Sequence, residues 1–170
     1  MKRKLLSILT LLCLTITSAW ADGSCGDGLT WALSSDGKTL TIRYTGSGTG
    51  VMDDYTDTDH APWYSHLSTI TSIVIKNGVT TIGSHAFEGC SLTSITLPEG
   101  LTTIKESAFC GNGTTIEEVS IPESVTFIGD MHSMEQMFES SSSTTFLVKS
   151  LLARILHSQQ VMYPSMYSHR

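Results

Sequence analysis

The chain has 170 residues, of which 40% are hydrophobic and 15% are charged, and its net charge at pH 7 is −6. The length suffices for one domain. The excess of acidic over basic residues disfavours a nucleic-acid partner, which usually requires a basic surface.

Residues 1–21 have the features of a secretory signal peptide. Lys2, Arg3 and Lys4 precede an apolar stretch over residues 5–16, and Ala19-Trp20-Ala21 fits a cleavage site. The apolar stretch is short and interrupted by Ser and Thr, which argues against the alternative of an N-terminal membrane anchor. We therefore expect a secreted or cell-surface protein. The processed chain would keep 7 Lys+Arg and 16 Asp+Glu, a net charge of −9, and no transmembrane span.

Residues 22–68 are predicted to form an N-terminal β cap region. Apolar residues alternate in two runs, Leu29, Trp31 and Leu33 and then Leu40, Ile42 and Tyr44, around the turn sequence Ser35-Asp36-Gly37-Lys38. This pattern is typical of a β-hairpin. A repeat protein needs such a cap, because its first repeat would otherwise expose a sheet edge and an apolar end.

The second part of this region, residues 45–59, is rich in Gly, Ser, Thr and Asp. Its Asp53, Asp54, Asp57 and Asp59 lack the spacing of a calcium-binding loop, so we interpret the segment as a solvated acidic loop without a metal. Ala61-Pro62-Trp63-Tyr64 follows, and we expect Trp63 to pack against the first repeat and not to serve as a ligand platform.

Residues 69–130 contain two complete repeats and one partial repeat. Ile82, Ile104 and Ile128 recur at nearly equal intervals. In each copy an apolar-polar-apolar strand, a turn and a second apolar run follow one another, and Ala86-Phe87 and Ala108-Phe109 close the two complete copies. The strands are predicted at Ile73-Val74-Ile75, Ile95-Thr96-Leu97 and Val119-Ser120-Ile121. A period in the twenties with Leu, Ile and Val at fixed offsets is typical of leucine-rich repeats, which bury their apolar side by stacking.

The repeat motif resembles the BspA-type leucine-rich repeats. The resemblance rests on Val79-Thr80-Thr81-Ile82-Gly83, on Ala86-Phe87-Glu88-Gly89-Cys90 and on the Pro-containing turn at Pro122. It implies a β/α-type solenoid of short strands stacked in a ladder, with a role in adhesion or recognition. Nothing in the resemblance implies catalysis. Cys110 precedes its glycine instead of following it, and residues 111–115 carry two extra positions, which depart from the family pattern.

The solenoid arrangement predicts a concave ligand-binding face. If the apolar strand residues point inward, the alternate positions point outward. These positions are Ser72, Val74, Ser94, Thr96, Glu118 and Ser120. They are small and mostly polar, which fits a shallow protein- or glycan-contacting surface, although solvated strand positions without a ligand would look the same. The family resemblance suggests host extracellular-matrix or cell-surface partners.

A secreted hydrolase is the enzymatic alternative, and the sequence does not favour it. The motifs G-x-S-x-G and H-E-x-x-H are missing, and a Cys90–His85 pair lacks a recognisable nucleophile context. We therefore predict no enzyme activity, no metal and no cofactor. Cys25, Cys90 and Cys110 remain after signal removal, so at least one thiol stays outside any disulfide within the processed chain, and we expect Cys90 to be a small buried apolar residue.

Residues 131–170 depart from the repeat pattern. The codons for Asp130 to Gln136 can be read in a frame shifted by one base, and this frame permits Ile-Gly-x-Tyr-Ala-Phe-Asp-Gly. Its Ala and Gly follow whichever synonymous codons are used, and both match the repeat. One interpretation is therefore a single-base slip near codon 130 and a truncated gene product without independent function. The other is a genuine C-terminal segment, irregular or with a short amphipathic helix over residues 146–156 that caps the solenoid.

Overall fold

The computed structural model describes residues 22–112 and 119–129. Three predictions lie outside the described residues: the signal peptide over residues 1–21, the binding position Glu118, and the frame-slip and helix interpretations of residues 131–170. Within them the chain forms short strands and one 3₁₀ turn, Tyr64–His66. The strands are β1 (Asp22–Gly26), β2 (Leu29–Leu33), β3 (Thr39–Tyr44), β4 (Ser72–Ile75), β5 (Thr81–Ile82), β6 (Ser94–Thr96), β7 (Thr103–Ile104) and β8 (Phe127–Ile128).

The larger sheet has the strand order β1-β2-β3-β4-β6. Strands β2 and β3 are antiparallel, with Leu33 opposite Leu40, so the predicted hairpin is present. From β3 onward the neighbours are parallel, and Leu40, Ile73 and Ile95 lie in one row. Strand β1 adds an antiparallel edge that hydrophobic alternation did not reveal, because its sequence Asp-Gly-Ser-Cys-Gly lacks the β-branched and aromatic residues typical of strands.

The smaller sheet contains β5, β7 and β8 in parallel order. Ile82, Ile104 and Ile128 occupy equivalent positions in it and are buried. A segment before the repeats continues this sheet, since Val51 forms a parallel bridge with Thr81 and the Met52 amide donates to the Thr81 carbonyl at 3.2 Å. Residues 45–59 are therefore not solvated throughout, because Met52 and Tyr55 belong to the core.

One predicted strand is wrong. Val119-Ser120-Ile121 follows the expected alternation, with Val119 and Ile121 buried and Ser120 exposed, but it is not a strand. Its partner would be β6, which is only three residues long, and Pro122 has no N–H to donate to a ladder. The segment contributes apolar burial to the core without extending the larger sheet.

A column of aromatic rings runs through the core. The Trp63 ring stacks on Phe87 with centroids 5.4 Å apart, and Phe87 stacks on Phe109 at the same distance. Trp63 is fully buried, and its indole N–H donates to the carbonyl oxygen of Ala86 at 2.8 Å. The predicted packing role of Trp63 is confirmed. Asn112 is buried beside the column, and its side-chain amide donates to the carbonyls of Phe87 and Phe109.

The Ala-Phe turns share an unusual backbone. His85 and Ser107, at equivalent positions of the two complete repeats, have φ angles of 55° and 53°, in the left-handed region that few residues other than glycine adopt. Gly83 precedes the first of these turns, and a Cβ there would lie 1.8 Å from the Asp53 carbonyl oxygen. The close approach of the acidic loop therefore requires glycine at position 83, whereas the second repeat has Lys105 at the corresponding place.

We expect Phe87→Ala to destabilise the fold by about 3–5 kcal/mol, because it opens a cavity in the middle of the aromatic column. Phe127→Ala is the matched control, since the Phe127 side chain is 37% exposed and leaves little cavity when truncated. Urea unfolding monitored by circular dichroism gives both values. Equal losses in the two variants would contradict the column as the centre of the core.

Candidate functional site

Four of the six predicted binding positions, Ser72, Val74, Ser94 and Thr96, lie together on strands β4 and β6 of the larger sheet, where they alternate with buried residues. Ser72 pairs with Ser94 and Val74 with Thr96 across the parallel β4–β6 ladder. The Ser94 hydroxyl donates to the Ser72 hydroxyl at 2.8 Å. Ser120 is exposed in the third repeat.

The same surface continues onto the N-terminal hairpin. Thr39 and Thr41 lie opposite Ser72 and Val74, while Thr30 and Arg43 face each other across β2 and β3. Alternation places all of them on the side away from the buried residues. We call this surface the ladder face, comprising Thr30, Ala32, Thr39, Thr41, Arg43, Ser72, Val74, Ser94 and Thr96. The hairpin positions were missed from the sequence, although the outward residues of the predicted hairpin carried that signal.

Several threonines outside this surface use their hydroxyl groups to hold adjacent repeats together. The Thr102 hydroxyl donates to the Thr80 carbonyl at 3.0 Å, and the Thr126 hydroxyl to the Thr102 carbonyl at 3.4 Å. The Thr93 hydroxyl donates in the same way to the Thr71 carbonyl. These side chains bond the backbone of the preceding repeat, so their recurrence reflects the fold. The ladder face is the separate set of polar side chains that strand alternation directs outward.

The acidic loop is attached to both complete repeats. The Asp54 carboxylate accepts from Lys105 Nζ at 2.7 Å and from the Ser84 amide at 2.9 Å. Partial burial opposes ionisation of Asp54, but the Lys105 and Ser84 donors outweigh it, and the pKa of Asp54 is lowered from its ordinary value.

A pocket of about 370 Å³ lies between this loop and the turn of the first repeat. Asp57, His85 and Glu88 line it, and one donor atom from each lies within 4.8 Å of the others. His85 Nδ1 is 2.5 Å from Glu88 Oε2. His60 stacks on Tyr64 in the same wall with ring centroids 3.7 Å apart. No metal site was predicted from the sequence. Within residues 22–112 and 119–129, the group formed by Asp57, His85 and Glu88 has the donor atoms that a metal site requires.

The thiols of Cys25 and Cys90 are buried in the core. Burial raises the pKa of each to about 12, with Asp53 adding to the effect at Cys25. Burial therefore favours the protonated thiol over the reactive thiolate at both positions. The expectation that Cys90 is a small buried apolar residue is confirmed.

Comparison with known proteins identifies the repeats. The family described as BspA type Leucine rich repeat region (6 copies) matches residues 62–158. The chain belongs to this family. The match includes the described repeats and extends past residue 130.

Two solved structures resemble this BspA-type chain. A leucine-rich repeat protein from Eubacterium ventriosum shares 30% identity with a TM-score of 0.55 over 65% of the chain. The leucine-rich repeat protein of T. pallidum shares 27% identity over 59% of the chain, with a TM-score of 0.36. The BspA-type chain spans 28% and 50% of the lengths of these two proteins. No curated protein sequence matches it.

Membership of the BspA-type family indicates a protein-interaction module. Repeats of this family are generally non-catalytic, and none of the matches indicates a hydrolase. BspA-type proteins are typically exposed on the cell surface or secreted. In residues 22–112 and 119–129, no helix has the length and apolar character needed to cross a membrane.

The cysteines are expected to differ in reactivity. Cys110 is only partly buried, whereas Cys25 and Cys90 are almost completely buried. In the native protein at pH 7, a maleimide should label Cys110 first and reach Cys25 and Cys90 only on unfolding. Peptide mapping by mass spectrometry assigns the label to each site. Labelling of Cys90 as fast as Cys110 in the folded protein would contradict the burial of that thiol.

The Asp54–Lys105 pair predicts a small pH dependence of stability. Because the folded pKa of Asp54 lies below the unfolded value of about 3.9, its contribution is full above the unfolded pKa and disappears as pH falls through the folded pKa. Asp54→Asn should cost about 1 kcal/mol or less at pH 7, since the pair is largely exposed. The loss should shrink as the pH falls below the unfolded pKa, because the carboxylate of the unmodified chain then becomes protonated.

Urea unfolding at several pH values measures this effect. Lys105→Met serves as the partner variant, and the double variant should lose less than the sum of the two single losses. Full additivity of the two losses would show that the carboxylate and the ammonium group do not interact.

Proposed function

We propose that the chain is a non-catalytic, secreted or cell-surface recognition module that binds a protein or a glycan through the ladder face. Adhesion to host extracellular-matrix or cell-surface molecules would be its biological role. The observation that carries this proposal is the continuity of the face from β2 to β6 in one unbroken register. The predicted positions Ser72, Val74, Ser94, Thr96, Glu118 and Ser120 form its repeat-derived part, with Glu118 assigned from the sequence alone.

The chemistry of the face suits a shallow contact. Hydroxyl groups of Thr and Ser can donate and accept hydrogen bonds, and Val74 adds an apolar contact between Thr41 and Thr96. Arg43 is exposed and supplies a positive charge in a chain whose net charge is −6. A ligand that presents a carboxylate or sulfate near a row of hydroxyl or amide groups would complement this surface.

The architecture supports the same proposal. We infer that the repeats form a solenoid and that the β1–β3 unit is its N-terminal cap. Strand β3 pairs with β4 and so covers the edge that the first repeat would otherwise expose. This arrangement extends the ladder face beyond the repeats, because the cap presents its own outward side chains on the same side.

We expect Thr96→Arg and Val74→Arg to lower ligand capture by at least about tenfold, because the long charged side chain prevents close approach to the face. Ser91→Arg is the matched control, since Ser91 is exposed and lies outside the strands. The measurement is binding of the purified chain to a glycan array and to a panel of immobilised extracellular-matrix proteins.

The two arrays separate the ligand classes. Capture only on the matrix proteins identifies a protein ligand, and capture only on the glycans identifies a carbohydrate. If the ladder-face variants bind as well as Ser91→Arg, the ligand contacts another surface and the proposed site is wrong.

A further inference from the structure

The pocket beside the first repeat brings together three side chains that carry metal-binding atoms. His85 and Glu88 come from the Ala-Phe turn, and Asp57 comes from the acidic loop. Their donor atoms lie within 4.8 Å of one another although Asp57 and His85 are distant in the sequence. The position of the loop, held by Asp54 and Tyr55 against Ser84, produces the convergence.

The donor side chains are specific to the first repeat. In the second repeat, Ser107 stands at the position of His85 with nearly the same φ angle, and Cys110 stands at the position of Glu88. The turn therefore forms without an imidazole at the first of these two positions and without a carboxylate at the second. His85 and Glu88 are additions to the repeat framework, and folding of the turn does not account for them.

The surroundings leave room for a bound ion and its water. The three side chains line a pocket of about 370 Å³, together with Tyr55, His60 and Tyr64. His85 and Glu88 are partly shielded from solvent, and Asp57 is exposed at the rim. Tyr55 is only 7% exposed, and its hydroxyl oxygen is buried with no hydrogen-bond partner among the described residues.

We propose that Asp57, His85 and Glu88 form a binding site for a divalent transition-metal ion, with Zn²⁺ as the reference ion. A neutral imidazole and two carboxylates supply one nitrogen and two oxygen donors with a total charge of −2, which balances the ion. Three protein ligands leave a fourth tetrahedral position for water. The site is independent of the ladder face and of the function proposed for it.

The geometry requires only a small rearrangement. Zinc–ligand distances of about 2.0–2.2 Å place two ligand atoms of a tetrahedral site roughly 3.3–3.5 Å apart. His85 Nδ1 and Glu88 Oε2, at 2.5 Å, would separate by about 1 Å as the ion enters between them. Rotation of the two partly exposed side chains accommodates this change. In the absence of an ion, the same contact is a hydrogen bond between the imidazole and the carboxylate.

The test is isothermal titration of the full chain with ZnCl₂, at about 0.15 M and at higher salt. We expect binding that is weakened at least about tenfold by each of Asp57→Asn, His85→Ser and Glu88→Gln. His85→Ser copies the residue that the second repeat already has at this φ angle, so it should fold. Asp57→Asn changes an exposed loop residue and provides a second variant that does not depend on the turn.

Asp59→Asn is the matched control, because Asp59 is an exposed acid of the same loop that is outside the cluster. The Asp59→Asn variant should bind Zn²⁺ with the same affinity as the unmodified chain. Visible absorption of the Co²⁺-loaded protein gives an independent readout, since inner-sphere ligation produces bands that His85→Ser should alter.

Three results would overturn the proposal. The unmodified chain could fail to bind Zn²⁺, which would leave His85 and Glu88 as a hydrogen-bonded pair only. The cluster variants could bind as well as the unmodified chain, which would place the ion elsewhere. Asp59→Asn could weaken binding as much as Asp57→Asn, which would indicate diffuse attraction to the acidic loop.

Discussion

Stacking of each repeat on its neighbour is the constraint on which the structure depends. A single repeat contains one strand of three or four residues and one of two residues, too little to bury an apolar side alone. Burial becomes complete only when equivalent residues meet, as Ile82 meets Ile104 and Phe87 meets Phe109. The register is therefore fixed by the core, since a slip of one residue would turn the inward side chains outward.

The same constraint separates structural from functional polar residues. Threonines that bond the carbonyl of the preceding repeat, such as Thr102, help to hold the stack. Positions on the ladder face are aligned by the register, and their side chains point away from the buried residues. The Ala-Phe turns show the same division, because Ser107 and His85 adopt one backbone with different side chains. Chemistry specific to one repeat can thus be placed on a shared framework without altering the fold.

The sequence predicted those parts of the fold that follow from local periodicity. The hairpin, the repeat register and the packing of Trp63 could be read from alternation and from the recurrence of Ile and Phe. Strand β1 escaped prediction because its residues have low strand propensity, and its stability comes from pairing with β2. Val119-Ser120-Ile121 shows the opposite case, in which the pattern was present but the ladder did not form.

The pocket cluster could not be predicted, because its members belong to different patterns. Asp57 lies in a loop without periodicity, and the sequence alone gives no distance between that loop and His85. What fixes the distance is a set of backbone contacts between the loop and the first repeat, including the Tyr55 amide donating to the Ser84 carbonyl at 3.0 Å. Gly83 is necessary for this approach, because a side chain there would collide with Asp53.

These contacts also explain how the first repeat is completed on its N-terminal side. Leu40 pairs with Ile73 in the larger sheet, Val51 pairs with Thr81 in the smaller sheet, and Trp63 stacks on Phe87 in the aromatic column. A complete repeat contributes one strand to each of the two sheets and one ring to the aromatic column. The segment before the repeats contributes a residue that pairs or stacks with the first repeat in all three. The two residues of each pair are separated by a different number of residues in the three cases. A search for a fixed period therefore does not detect that this segment stacks on the first repeat. The N-terminal segment thus packs on the first repeat as the repeats pack on one another, although its sequence does not resemble theirs.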